Sequence, residues 1–401
     1  MVRENEALEK VLSKLTEISN RLDSMEDQIS DQSSRIDEIN SGVVSKFVKF
    51  STSDVNKACG VIAVSEDRLL GEGSAHKKGS AAEEKKRKER QVLGGHLFSV
   101  YVLTWVALMG LSFQGMIPVA DWETMKFDKA VLVSEWLRNH MHLPFVFSFG
   151  YVTVVFGVQH LMKDRKPFHL RYPLALWSFA LCIFSLAGSL RTVPKLLEII
   201  YEKGLFHLVC MDTRNDWVIN HPAGVWTMFF IHSKVPELID TLFIVLRKNK
   251  LITLHWYHHI TVMIFCWHSW STYCLNGLVY SAMNLTVHAF MYFFYTLAAL
   301  GYRPTSYAMT ITVIQILQMV VGTAVTVYVN YHMQFVEYQP LILSFDTNWD
   351  VQNSTVNTDT SCKVHRFNAL AGLVMYASYL WLFCMFFYLA YLQPAKKTKV
   401  A

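Results

Sequence analysis

The sequence predicts an all-α polytopic membrane protein, and three observations support this. The chain of 401 residues is 52% hydrophobic and 14% aromatic, yet its first ninety residues are strongly polar, so the apolar weight lies downstream. Stretches of about 20 apolar residues, enough to cross a bilayer core as a helix, recur at 97–117, 143–162, 172–191, 225–246, 255–274, 279–300, 306–329 and 367–391. Inside several of them the polar residues repeat at helical spacing. No short apolar stretch near Met1 is followed by a small-residue cleavage site, so no cleaved secretory signal is expected.

From the N-terminus, Leu8, Val11, Leu15, Ile18, Leu22, Met25, Ile29, Ile36 and Ile39 follow alternating steps of three and four, with Gln32 filling the one gap. This heptad seam predicts a cytosolic coiled coil over 1–41, serving self-association or a partner protein. Residues 42–95 turn to Ser, Gly and mixed charge, a linker of low order ending in a basic run. Lys85-Lys86-Arg87-Lys88 abuts the first span and reads as a topology anchor, not as a nucleic-acid site. A first span within 96–120 precedes a membrane domain over 121–393 and a short basic tail over 394–401. Within that domain 122–142 reads as an amphipathic interface segment carrying His140 and His142, whose spacing makes them diverge on a helix.

Short loops rich in Lys and Arg stay cytosolic. Eight spans and a cytosolic N-terminus put the clusters Lys85 to Arg90, Lys163 to Lys166, Arg247 to Lys250 and Lys396 to Lys399 on the cytosolic side. The loops 192–224 and 330–366 then become lumenal, with the sequon Asn353-Ser354-Thr355 as a glycosylation site. The second sequon, Asn284-Leu285-Thr286, lies inside a span and should be silent. Of seven cysteines, Cys182, Cys266, Cys274 and Cys384 fall in or at the ends of spans as packing residues. Cys210 and Cys362 fall in lumenal loops where a disulfide persists, and are expected to pair, with two unrelated free thiols as the alternative.

Four spans carry the candidate chemistry. Lys234, Glu237, Asp240 and Thr241 cover an arc of about 120° on a helix. Charged groups facing lipid are expensive, so they form an internal ion-pair lattice of Lys234 with Glu237 and Asp240, or a binding site in which Lys234 meets a phosphate. His255, His258 and His259 share one face of the next span at i, i+3 and i+4. Asn284, His288, Met291, Tyr292 and Tyr295 form a stripe in the sixth span, and Thr312, Gln315 and Gln318 in the seventh. Together these faces predict a polar chamber in an apolar bundle.

The series Lys234-x-x-Glu237-x-x-Asp240-Thr241, His255-x-x-His258-His259, Asn284-x-x-x-His288-x-x-Met291-Tyr292 and Thr312-x-x-Gln315-x-x-Gln318 resembles the ELO family of very-long-chain fatty acid elongases. All four blocks stand in the family's order and spacing, over roughly 125–392. The chain departs from the family pattern at Phe294-Tyr295, where two adjacent tyrosines are usual, so one phenol is missing. The resemblance implies a seven-helix core enclosing a closed-ended acyl tunnel, to which 97–117 adds one extra N-terminal span. It further implies an endoplasmic-reticulum 3-oxoacyl-CoA synthase, condensing a long-chain acyl-CoA with malonyl-CoA to a 3-oxoacyl-CoA two carbons longer, with loss of CO2 and CoA.

On that reading His258 is the acyl acceptor, His255 and His259 orient it or move protons, and His288 binds the malonyl carboxylate or an oxyanion. Lys234, Arg247 and Lys248 meet CoA phosphates, with Glu237, Asp240 and Thr241 around Lys234. Asn284, Met291, Tyr292, Tyr295, Gln315 and Gln318 line the thioester. No cofactor or metal is expected beyond the two substrates. The rival readings are a di-iron desaturase or hydroxylase, which also uses HxxHH, and a non-enzymatic membrane scaffold or transporter. Sixteen histidines without an HxxxH or a second HxxHH speak against iron. Transporters built from inverted repeats show internal symmetry, which this chain lacks. The ending Lys397-Thr398-Lys399-Val400-Ala401 has the KxKxx form of a dilysine retrieval signal, which needs a cytosolic tail and agrees with the orientation that charge predicts, both termini cytosolic.

Overall fold

In a computed structural model the chain divides into two units, Met1–Ala63 and Val64–Ala401. The residues described are 81–272, 276–333, 362 and 364–392, all within the second unit. The heptad segment, most of the linker, Asn353 and the dilysine tail lie outside them. Among the described residues all regular structure is helical: α1 (Ala81–Phe113), α2 (Phe127–Asn139), α3 (Leu143–Leu161), α4 (Arg171–Cys210), α5 (Pro222–Ser233), α6 (Ile239–Leu246), α7 (Thr253–Ser271), α8 (Gly277–Leu300), α9 (Thr305–Met333) and α10 (Arg366–Phe387). Six of these, α1, α3, α4, α8, α9 and α10, are long and apolar enough to cross a membrane.

Three expectations change. The span expected at 225–246 is broken into α5, a single 3-10 turn at Pro236–Leu238, and α6. Pro236 has no N–H to donate and its ring crowds the preceding turn, so the regular α-helical bonding is interrupted there. The loop expected at 192–224 is largely helix, because α4 runs on to Cys210 past an interruption at Gly204, whose φ of 82° suits glycine. Ile199, Leu208 and Val209 keep that extension buried against the core. Helix α1 begins well before residue 97, since the Glu, Lys and Arg residues ahead of the apolar stretch are good helix formers.

The longest seam in the bundle runs between α4 and α8. Small residues allow it: Ser178, Cys182, Ser185, Gly188 and Thr192 on α4 are buried, as are Ser281, Ala282 and Ala289 on α8. A Cβ at Gly188 would lie 2.9 Å from a Leu285 methyl and 3.2 Å from Trp226, so the helices approach as closely as glycine permits. Helix α8 stops at Gly301, left-handed at φ 88°, where the amides of Gly301 and Tyr302 turn back to the carbonyls of Ala298 and Leu297.

The connections sort to two ends. At one, Arg171 caps α8 by donating to the carbonyls of Ala299 and Leu300, Lys248 donates to the carbonyls of Lys163 and Arg165, and the Phe168 amide donates to Leu246 O. At the other, Arg191 and Glu123 form a two-pronged ion pair of 2.6 and 2.8 Å, Trp226 donates to the same carboxylate at 2.9 Å, and Cys210 and Cys362 are joined in a disulfide.

Candidate active site

The break in the fourth traverse builds the first part of the site. Lys234 follows the end of α5, and Glu237, in the turn at Pro236–Leu238, lies three residues on, one helical turn from it. Lys234 is 2% exposed, and its Nζ donates to Glu237 Oε1 at 2.8 Å and Oε2 at 2.9 Å, reaches Asn284 Oδ1 on α8 at 3.4 Å, and lies 4.2 Å from the centroid of the Phe230 ring. Ser233 donates to Glu237 Oε1 at 2.7 Å. The cost of desolvating two charges is offset by these bonds, which engage both oxygens of the carboxylate.

Helix α6 then splits its two polar residues between different neighbours. Asp240 does not join the ion pair; the Trp177 indole on α4 donates to its Oδ1 at 2.5 Å and the Tyr292 hydroxyl on α8 to its Oδ2 at 2.7 Å. The expected lattice is therefore a Lys234–Glu237 pair, with Asp240 serving as a bracket between α4 and α8. Thr241, on the next position round the helix, shares hydrogen bonds with the Tyr151 hydroxyl on α3 at 2.8 Å and with His255 Nε2 at 3.0 Å.

Helix α7 presents the three histidines in its first two turns. The His255 and His259 rings meet edge-on with centroids 4.5 Å apart, and the His258 and His259 rings at 5.5 Å. The His258 ring also lies 4.9 Å from Tyr379 on α10, whose hydroxyl is shared with Thr261 and donates to the His258 carbonyl. His288 comes from α8, edge-on to Tyr292 at 5.3 Å, with Tyr295 a further step along the same stripe. His258 stands within electrostatic reach of both Lys234 and His288.

The four imidazoles are not equivalent. His255 Nε2 is tied to Thr241, whereas among the described residues no hydrogen bond engages a ring nitrogen of His258, His259 or His288. Of these three, His259 is buried, while His258 and His288 are partly exposed. Helix α9 closes the group from the other side: Gln315 Nε2 contacts Met291 Sδ at 3.2 Å, Gln318 is buried, and Thr312 meets the Tyr391 hydroxyl. Tyr295 remains 42% exposed.

The cationic residues at the α6–α7 turn lie apart from this cluster. Lys248, left-handed at φ 57°, spends its ammonium on loop carbonyls. Burial, then the nearby Arg303, hold Arg247 below the usual guanidinium range. Cys266 is a buried free thiol. Among the described residues no three His, Cys, Asp or Glu side chains have the arrangement of a metal site. Tyr151, Trp177, Ser233 and Tyr379 are site residues that sequence reasoning misses. Tyr151, Trp177 and Tyr379 have no stripe around them, although Tyr376 and Tyr379 at i, i+3 offered a weak signal; Ser233 stands at i, i+4 to Glu237, which could have found it.

Three imidazoles with no hydrogen bond on their ring nitrogens among the described residues, beside a buried ion pair and amide and phenol donors, have what a group-transfer reaction in an apolar setting requires. Residues 136–399 match the family described as ELO, the GNS1/SUR4 family. Very long chain fatty acid elongase 6 of Drosophila melanogaster is 38% identical over 261 residues, covering 65% of this chain and 75% of the relative. The Homo sapiens protein of the same name is 39% identical over 269 residues, covering 67% and 91%. Very long chain fatty acid elongase 4 of Trypanosoma cruzi is 37% identical over 250 residues, covering 62% and 79%. The matched region takes in every residue of the cluster just described, and by that match the chain belongs to the ELO family of very-long-chain fatty acid elongases.

Proposed function

We propose that this chain, a 3-oxoacyl-CoA synthase, extends a long-chain acyl-CoA in two half-reactions that share one imidazole, that of His258. In the first, a His258 nitrogen attacks the acyl thioester, the C–S bond breaks, and the proton lost by the imidazole goes to the departing CoA thiolate. In the second, malonyl-CoA loses CO2, and the electron pair of the broken C–C bond becomes an enolate. That enolate attacks the acyl-imidazole, the N–C bond breaks, 3-oxoacyl-CoA leaves, and the imidazolate of His258 takes one proton from solvent.

The observation that carries this assignment is the inequality of the histidines. His255 is held by Thr241 and His259 is buried, while His258 and His288, on two different helices, are partly exposed and carry no hydrogen bond on their ring nitrogens among the described residues. A neutral imidazole with a free lone pair is the form that attacks. His288 then receives the malonyl carboxylate or the oxyanion, and Asn284, Tyr292, Gln315 and Gln318 supply donors around the thioester. Lys234, close to Asn284 and held by Glu237, contributes fixed positive charge.

The core on this reading is seven helices, counting α3, α4, α5 with α6, α7, α8, α9 and α10, around an acyl tunnel, with α1 as an eighth. The disulfide and the Arg191–Glu123 pair at one end of the bundle support a lumenal assignment for that end. The lysine- and arginine-rich turns at the other support a cytosolic one. Endoplasmic-reticulum residence, glycosylation at Asn353 and a coiled-coil partner, either a second copy or another enzyme of the elongation cycle, complete the proposal.

The test is mutagenesis with a covalent readout. His258→Ala abolishes both malonyl-CoA-dependent elongation and the acyl-enzyme formed from acyl-CoA alone, while Cys266→Ser keeps both. Loss of the acyl-enzyme in Cys266→Ser, with its retention in His258→Ala, overturns the assignment.

A further inference from the structure

Helix α1 lies outside residues 136–399, yet it packs on the helix that carries half the site. Its contacts are directional as well as apolar. The Tyr101 ring stacks on Phe293 of α8 with centroids 4.0 Å apart and planes 13° from parallel, and its hydroxyl donates to the Ala289 carbonyl at 3.2 Å. The Cys182 thiol of α4 reaches both that hydroxyl, at 3.4 Å, and the same carbonyl, at 3.5 Å, so one knot joins α1, α4 and α8.

Further contacts set the register of α1 along its length. Near its start a Cβ at Gly94 would lie 2.8 Å from the Tyr302 carbonyl, and Ser99 shares a 2.7 Å bond with the Tyr307 hydroxyl. Further along, the Trp105 indole donates to Ser189 at 3.3 Å and Ser112 to the Leu190 carbonyl at 2.5 Å.

Ala289 and Phe293 each follow a site residue, His288 and Tyr292, and so lie about 100° further round the helix. Whatever holds Ala289 and Phe293 sets the rotation at which His288 and Tyr292 are presented. The Tyr292–Asp240 bond depends on that rotation as well.

We propose that Tyr101 is a positioning residue for the condensation: by its stack on Phe293 and its bond to Ala289 it holds α8 so that His288 meets the acyl group on His258. The proposal rests on the two-half-reaction reading above. It predicts an effect chiefly on the second half-reaction, because His288 enters there, whereas acylation draws on α8 only for the neutral donors Asn284 and Tyr292.

The experiment uses the full chain in lipid nanodiscs, measuring acyl-enzyme formation from a long-chain acyl-CoA and its discharge by malonyl-CoA. Tyr101→Ala should acylate within about twofold of the wild-type rate but discharge about 10-fold to 100-fold more slowly, with KM for malonyl-CoA little changed. Tyr101→Phe keeps the ring and should restore discharge to within about threefold. The proposal is overturned if both half-reactions fall together in step with the folded fraction, or if neither changes. If the wild-type protein forms no acyl-enzyme, the two-step reading falls separately. Steady-state kinetics of Tyr101→Ala then decide: a lowered kcat at constant KM supports positioning, and an unchanged kcat overturns it.

Discussion

The α4–α8 pair and the broken traverse from Pro222 to Ser271 supply the two halves of the site by opposite means. Helices α4 and α8 are long, meet along a seam of small residues, and contribute neutral groups: Trp177, Asn284, His288 and Tyr292. The traverse facing them is short-pieced and holds every formal charge of the cluster, Lys234, Glu237 and Asp240. The difference shows where an apolar bundle tolerates charge. Around the turn at Pro236, Ser233 and Lys234 meet Glu237 at helical spacings of four and three, and each charge is met before it reaches lipid. Helices α4 and α8 instead supply a wall and neutral donors.

Removing one partner of the ion pair tests this contrast most strongly. Glu237→Leu leaves the Lys234 ammonium buried without its carboxylate and should destabilise the protein by about 3–5 kcal/mol. Thermal unfolding in nanodiscs reads this, and adding Lys234→Met should recover most of the loss, because an apolar pair carries no uncompensated charge. Failure of the double variant to recover stability would mean that the charges also hold the turn in place. A smaller effect is expected at the apolar seam. Gly188→Val forces Leu285 and Trp226 apart and should cost about 1–3 kcal/mol, without altering the ratio of acylation to discharge if α8 moves as a rigid body.

The smallest effect is a pH dependence at the disulfide end, remote from the site. His221 caps α5 by accepting the Ala223 amide at 3.1 Å, and burial, then the positive charge of Lys195, push its pKa down from 6.5 to about 4. Between these values the unfolded chain binds more protons than the folded one, so this contribution is full above pH 6.5 and is lost as pH falls towards 4. Burial raises the Glu123 pKa, but hydrogen bonds from Arg191, Trp226 and the Ala120 amide outweigh it, leaving the carboxyl below its usual 4.5. Its contribution is present above that value and disappears only as pH falls below it. A melting series from pH 7 to about pH 4 should therefore show a loss that His221→Asn removes from the upper part of the range, since Asn keeps the acceptor without the proton. An unchanged curve would assign the loss to other groups.

Much of the site was legible before any coordinates. The blocks around Lys234, His255, Asn284 and Gln315 could be read because an ionisable or amide side chain in an apolar helix is conspicuous, and helical spacing says which of them share a face. The partners of those side chains were less legible. Nothing at Trp177 or Tyr151 distinguishes an indole or phenol that holds Asp240 or Thr241 from one that merely packs. The same limit produced the ion-pair lattice that assigned Asp240 to Lys234: spacing along a helix names candidate neighbours, but Trp177 and Tyr292 from other helices take up the Asp240 carboxylate. Pro236 itself was visible in the sequence and outweighs the apolar run around it.

By itself the sequence determined that the chain is helical and membrane-spanning, that its polar residues concentrate in four segments, and that their spacing is that of the ELO family, because burial cost and helical period act locally and leave a pattern in one dimension. Only the tertiary structure decided which imidazoles are tied and which are free, that Asp240 braces α4 against α8, and that α1 grips the back of α8. Those outcomes depend on which helices meet, and at what rotation. Small residues such as Gly188 and Ala289 set that geometry only once their partners are in place.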